Sequence, residues 1–155
     1  MINRYFIEQF KVFFGLEPTD GQKKAIEKLG QFLLSGQEKE AFILKGYAGT
    51  GKTSLVGALV RLLDSIQQKV ILIAPTGRAA KVFSLHAGHT AYTIHKKIYR
   101  QKAFNGEGGN YSLSDNLHQH TLFIVDEASM IANEGLSGST FGTGRLLDDL
   151  VEYVY

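Results

Sequence analysis

Gly46-Tyr47-Ala48-Gly49-Thr50-Gly51-Lys52-Thr53 is the stretch whose reading decides the fold. It has the form G-x-x-x-x-G-K-[ST], and its neighbours give it the setting that pattern requires. Ahead of it, Ala41 to Leu44 is a short apolar run that reads as a strand. Behind it, Leu55, Leu59, Leu62, Leu63 and Ile66 recur on one side of a helix. Strand, glycine-rich loop and helix in that order aim backbone N–H groups and a helix N-terminus at one point, which suits a polyphosphate. In such a loop Lys52 pairs with the β- and γ-phosphates and the Thr53 hydroxyl ligates Mg²⁺, so Gly46 to Ser54 are the expected nucleotide contacts. Without that setting the same residues would be a glycine-rich hairpin turn.

Further along, Val70 to Ala74 reads as a buried strand that stops at Pro75, and Gly77 to Leu85 as a helix. Leu122 to Val125 is a third strand. Strands alternating with helices predict an α/β fold with a mostly parallel sheet, a P-loop domain over residues 37–155. The third strand ends in Asp126-Glu127. At a strand tip Asp126 can reach a hydrated Mg²⁺, while Glu127, pointing elsewhere, can orient and deprotonate an attacking water. Acids after a strand are more often a solvated turn. A phosphate loop in the same chain shifts the reading of Lys52, Asp126 and Glu127 toward nucleotide hydrolysis. The absence of an N-K-x-D motif disfavours GTP.

Residues 1–36 read as a helical segment. Phe6, Phe10, Phe13 and Phe14 share one face of a helix over Asn3 to Phe14; Thr19 opens a second helix in which Ile26, Leu29 and Leu33 share a face, ending near Ser35-Gly36. Thr19-Asp20-Gly21-Gln22 is T-x-x-Q, a capping box in which Gln22 reaches back to the Thr19 N–H. A second reading has the Gln22 amide donating to N7 and accepting from N6 of adenine, which would select ATP. One side chain can do both. Asn105 to Asn116 and Gly135 to Gly144 are Gly-rich; the first predicts a mobile loop or small hairpin. A final helix is expected to share Leu147, Leu150, Val151 and Val154 on one face.

The 155 residues suffice for one core, and the 44% hydrophobic and 21% charged composition is that of a soluble protein. No apolar run approaches the roughly 18 residues that span a membrane, and no secretion signal is evident at the N-terminus. The lack of cysteine rules out disulfides and thiolate metal sites and fits the cytoplasm. A net charge of +2 is too weak to imply nucleic acid by itself.

Five motifs together carry a resemblance: T-x-x-Q at Thr19, G-Y-A-G-T-G-K-T at Gly46, A-P-T-G-R-A-A at Ala74, T-I-H at Thr93 and V-D-E-A-S-M at Val125. In order and spacing, over roughly Pro18 to Ile131, they resemble the first motor domain of RecD-like helicases of superfamily 1B. The resemblance implies a RecA-like ATPase using ATP and Mg²⁺ to drive 5′-to-3′ translocation on single-stranded DNA. It implies that Gln22 reads adenine, that Pro75, Thr76 and Arg78 lie against the DNA backbone, and that Thr93 and His95 lie near the bound strand. His95 could equally be a helix-capping or core imidazole, and Tyr92 and Tyr99 could stack on bases or fill a core.

Members of that family continue with a strand ending G-D-x-x-Q-L-P and a second RecA-like domain that supplies an arginine finger. Neither occurs here. The chain is therefore expected to be partial, with the C-terminal remainder of the motor as its partner, and slow in turnover by itself. In related ATPases the absent strand lies between the one leading to Gly46 and the one ending at Asp126, so the scaffold of the ATP site is expected to be incomplete. The alternatives are another P-loop enzyme, such as a small-molecule kinase, or a non-catalytic nucleotide-binding module.

Overall fold

The computed structural model describes residues 2–102, 110–134 and 140–155. They form two units: one reaches to Gln68 and takes in His86–Gly88, and the other comprises Lys69–Leu85 and His89–Tyr155.

The first unit is helical. Its elements are α1 (Ile2–Phe14), α2 (Asp20–Leu34) and α3 (Lys52–Ser65), with α1 packed against both others. The phenylalanine face explains why: Phe10 is fully buried, and the rings of Phe6 and Phe14 lie 5.9 and 6.3 Å from it. Thr19 caps α2 as the T-x-x-Q pattern predicts. Its hydroxyl accepts the Gln22 N–H at 3.3 Å, and its own N–H donates to Gln22 Oε1 at 2.9 Å. Helix α3 buries Leu55, Leu59, Leu62 and Leu63, while Ile66 falls at its C-cap and is exposed. The Arg61 guanidinium donates to the Phe13 carbonyl at 3.2 Å, tying α3 to the end of α1.

The strand expected over Ala41 to Leu44 is not formed. A strand exists through ladder bonds to a neighbour, and among the described residues no strand pairs with this segment. Phe42 instead sets its ring 5.7 Å from Phe32 of α2, and Ile43 is 74% exposed.

The second unit contains β1 (Lys69–Ala74), α4 (Gly77–Ala87, its end shared with the first unit), β2 (Ala91–Thr93) and α5 (Ile94–Ile98). It continues with β3 (Tyr99–Gln101), β4 (Tyr111–Leu113), β5 (Thr121–Val125) and α6 (Leu146–Val154). Strands β2, β1 and β5 form a parallel sheet in that order, and central β1 is buried from Val70 to Ala74. The parallel α/β architecture is as expected. Strand β2 escaped the sequence because Ala91-Tyr92-Thr93 is too short to show a pattern. Strands β3 and β4 pair antiparallel, giving the hairpin alternative for the first Gly-rich stretch; residues 103–109 and 135–139 of the two stretches lie outside the described residues. Among the described residues no helix is long and apolar enough to cross a membrane.

The core of this unit gathers Ile71, Ile73, Ile94, Ile98, Tyr99, Leu150 and Tyr153. Helix α6 is turned relative to the expected face: Asp149, Leu150 and Tyr153 are buried, whereas Leu147 and Val151 are 41% and 48% exposed. Asp149 supplies the reason. Its carboxylate accepts the Tyr99 hydroxyl at 2.6 Å, the Thr143 N–H at 3.0 Å and the Thr143 hydroxyl at 2.7 Å. Partners 50 and 6 residues away make this acid a core residue, which helical periodicity does not reveal.

Asp149→Ala should cost about 3 kcal/mol in urea denaturation, because it strands buried donors, and Tyr99→Phe about 1 kcal/mol. Burial first, then the hydrogen bond and charge of Asp149, raises the Tyr99 pKa above the ordinary 10.0. The unfolded chain therefore ionises this phenol first, so its stabilising contribution is full below about pH 10 and is lost as pH rises above that. Denaturation across the alkaline range should show Tyr99→Phe losing less stability than the unaltered protein; Tyr153, also raised by burial, accounts for part of what remains.

Candidate functional site

The phosphate loop belongs to the first unit. Lys52 opens α3, and Gly51 is its N-cap at φ 83°, a left-handed conformation. The Lys52 ammonium folds back over the loop and donates to the Gly46 carbonyl at 2.5 Å and the Tyr47 carbonyl at 2.8 Å. The Thr50 hydroxyl donates to the same Tyr47 carbonyl at 2.8 Å. A Cβ on Gly46 would lie 2.7 Å from Thr50 Oγ1, and one on Gly51, already disfavoured by its left-handed backbone, 2.6 Å from Gln22 Nε2, which would have to move. Gly49 is also left-handed, at φ 77°.

This cradle fits a polyphosphate on its own geometry. A helix N-terminus, an ammonium and three glycines, Gly46, Gly49 and Gly51, come together at one turn. Thr53 lies half-buried in the first turn of α3, with Ser54 beside it exposed, and Tyr47 is 90% exposed next to the loop. For Mg²⁺ the donor chemistry is also right, since the ion takes few protein oxygens and completes its shell with water and phosphate. Within the first unit, Thr53 offers a hydroxyl beside the loop.

Gln22 makes the capping box and one contact that sequence did not suggest. Its Nε2 donates to the Thr50 carbonyl at 3.1 Å. A primary amide retains one more N–H and one more acceptor position, so the cap leaves capacity for a base.

In the second unit the sheet register brings Pro75, Thr93 and Asp126 to the carboxyl edge. Ala74 pairs with Thr93 and Ile73 with Val125, and the Asp126 N–H extends the ladder to the Ile73 carbonyl at 3.0 Å. Thr93, the Ala74–Pro75 tip and Asp126 therefore stand abreast, Thr93 and Asp126 two strand spacings or roughly 10 Å apart. This is the edge at which parallel α/β sheets take ligands. Asp126 is half-buried and its Oδ1 accepts the Glu127 N–H at 2.9 Å. Glu127 is exposed and held at φ 53°, a strained conformation for a glutamate. It is the N-cap of a 3₁₀ turn over Ala128–Met130.

Thr76 and Thr93 have structural partners. The Thr76 hydroxyl accepts the Ala79 N–H at 3.2 Å at the start of α4, and the Thr93 hydroxyl accepts the Lys96 N–H at 3.2 Å at the start of α5. Each hydroxyl keeps its proton for an outside acceptor. Arg78 is exposed. His95 lies half-buried against the rings of Tyr99 and Phe141, at 5.7 and 5.0 Å, and burial lowers its pKa, favouring the neutral imidazole. Tyr99 is core, whereas Tyr92 is partly exposed with Lys97 Nζ 5.4 Å from its ring centre.

The AAA domain family model matches residues 17–138. An uncharacterised protein of Methanocaldococcus jannaschii is 29% identical over 80% of this chain and 11% of its own length. The ATP-dependent RecD2 DNA helicase of Deinococcus radiodurans is 33% identical over 59% of this chain and 12% of its own length. The ATP-dependent DNA helicase Dda of Enterobacteria phage T4 is 37% identical over 72% of this chain and 26% of its own length. The chain thus spans between about a tenth and a quarter of these curated relatives.

Gly51→Ala tests the loop geometry. The left-handed backbone and the approach of Gln22 both oppose a methyl group, so thermal or urea unfolding should show a loss of about 1–2 kcal/mol.

Proposed function

Because this chain belongs to the AAA-domain family and is similar to superfamily 1 helicases, we propose that it is the ATP-binding part of a DNA motor. It binds and hydrolyses ATP to drive 5′-to-3′ movement along single-stranded DNA, together with the remainder of the motor. The observation that carries this reading is the Gly46–Thr53 loop, whose lysine lies across its own carbonyls at the N-terminus of α3.

The roles follow from the donors each residue offers. Lys52 exchanges the Gly46 and Tyr47 carbonyls for β- and γ-phosphate oxygens, a stronger partner for an ammonium. The backbone from Gly46 to Ser54 wraps the polyphosphate. Gln22 turns its spare N–H and lone pair to the adenine edge. Thr53 and Asp126 would hold Mg²⁺, which when bound neutralises charge on the β- and γ-phosphates. Glu127, exposed past the strand tip, orients the attacking water and accepts its proton. Pro75, Thr76, Arg78, Thr93 and His95 serve the DNA strand. The placement of Pro75 and Thr93 along one sheet edge with Asp126 supports a track beside these carboxylates.

Lys52→Ala should weaken Mg-ATP binding by roughly 10- to 100-fold in calorimetric titration, the loss expected for a charge-assisted hydrogen bond. Unchanged affinity would count against the loop as the ATP site. In the complete motor, Glu127→Gln should keep ATP bound while turnover stops. A variant that still hydrolyses ATP at the parental rate would remove Glu127 from the catalytic role.

A further inference from the structure

Gln22 is placed to serve the phosphate loop as well as the base. Its Oε1 is anchored by the Thr19 N–H at 2.9 Å, and its Nε2 crosses to the loop and donates to the Thr50 carbonyl at 3.1 Å. A trans peptide points its C=O and N–H to opposite sides. A Thr50 carbonyl held toward α2 therefore turns the Gly51 N–H away from α2. Gly51 is the N-cap of α3, so this N–H heads the run of donors from Gly51 to Thr53 that opens the helix. The amide also lies close against Gly51, where a Cβ would stand 2.6 Å from Nε2. Beyond Thr50, the Tyr47 carbonyl receives both the Thr50 hydroxyl and the Lys52 ammonium, each at 2.8 Å. One chain of contacts thus runs from Gln22 through Thr50 and Tyr47 to Lys52 inside a single unit.

From this geometry we infer that Gln22 is a positioning residue for the polyphosphate: it sets the Thr50–Gly51 peptide so that the Gly51 N–H faces the anion, independently of any contact with adenine. The inference rests on the ATP-binding reading and extends it from the base to the phosphates. It separates two functions of one amide, because the adenine contact uses capacity that the Thr50 bond leaves free.

A ligand without a base isolates the second function. The whole chain is titrated with Mg-tripolyphosphate by calorimetry, comparing the unaltered protein with Gln22→Ala and Thr19→Ala. Gln22→Ala should bind about fivefold more weakly, the worth of one hydrogen bond. Thr19→Ala, which loses the hydroxyl half of the capping box but keeps the backbone N–H that anchors Gln22, should bind as the parent does. Gln22→Glu retains a cap acceptor and removes only the N–H donor. Measured at high salt to screen its added charge, it should reproduce the loss and guards against misfolding of the alanine variant. Equal binding by the parent and the Gln22 variants would overturn the inference and leave the ATP reading standing. An equal loss in Thr19→Ala would also overturn it, because the effect would then belong to the start of α2. Failure of the parent to bind tripolyphosphate would overturn the inference and the ATP reading together.

Discussion

The parallel ladder on both sides of β1 is the constraint on which the second unit depends. Central β1 is buried from Val70 to Ala74 and exchanges backbone hydrogen bonds with β2 on one side and β5 on the other. Parallel pairing makes all three strands end at the same edge. Residues separated by tens of positions in the chain, Pro75, Thr93 and Asp126, are brought abreast by register alone. Asp126 even contributes its N–H to the ladder, so the carboxylate is placed by the same bonds that hold the sheet.

The phosphate loop depends on a different economy of hydrogen bonds. Its carbonyls are satisfied by its own Lys52 and Thr50 and by Gln22, and its glycines take backbone conformations, and allow approaches, that a Cβ would forbid. The loop is thus held by contacts among its own residues and one from α2. The T-x-x-Q motif therefore links the cap of α2 to the glycine-rich loop. The residue that closes the start of α2 also reaches the turn that opens α3.

Away from the loop and strand tips, polar and aromatic contacts hold the second unit. Tyr111 stacks on Phe141 at 4.6 Å, Phe141 meets His95 and Tyr99, and the Tyr99 hydroxyl donates a hydrogen bond to buried Asp149. This cluster joins α5, the β3–β4 hairpin, the segment around Phe141 and α6. It gives His95 a packed position at the same end of α5 that Thr93 caps, so a residue considered for DNA contact is also part of a core.

Local order in the chain sufficed for much of this. The phenylalanine spacing of α1, the capping box of α2, the glycine and lysine pattern ahead of α3 and the apolar runs of β1 and β5 are short-range signals, whereas the acids after β5 took their reading only from the loop elsewhere in the chain. Four features needed the tertiary structure. The segment 41–44 has strand composition but no paired neighbour among the described residues, and pairing belongs to two segments at once. Glu127 is held left-handed at the end of a strand, which no side-chain preference indicates. Asp149 is buried because Tyr99 and Thr143 meet it in space. Gln22 reaches Thr50 across 28 residues. The sequence by itself determined which groups can form hydrogen bonds and carry charge; only the folded chain decided which of them meet, because a hydrogen bond depends on distance in space and not on separation along the backbone.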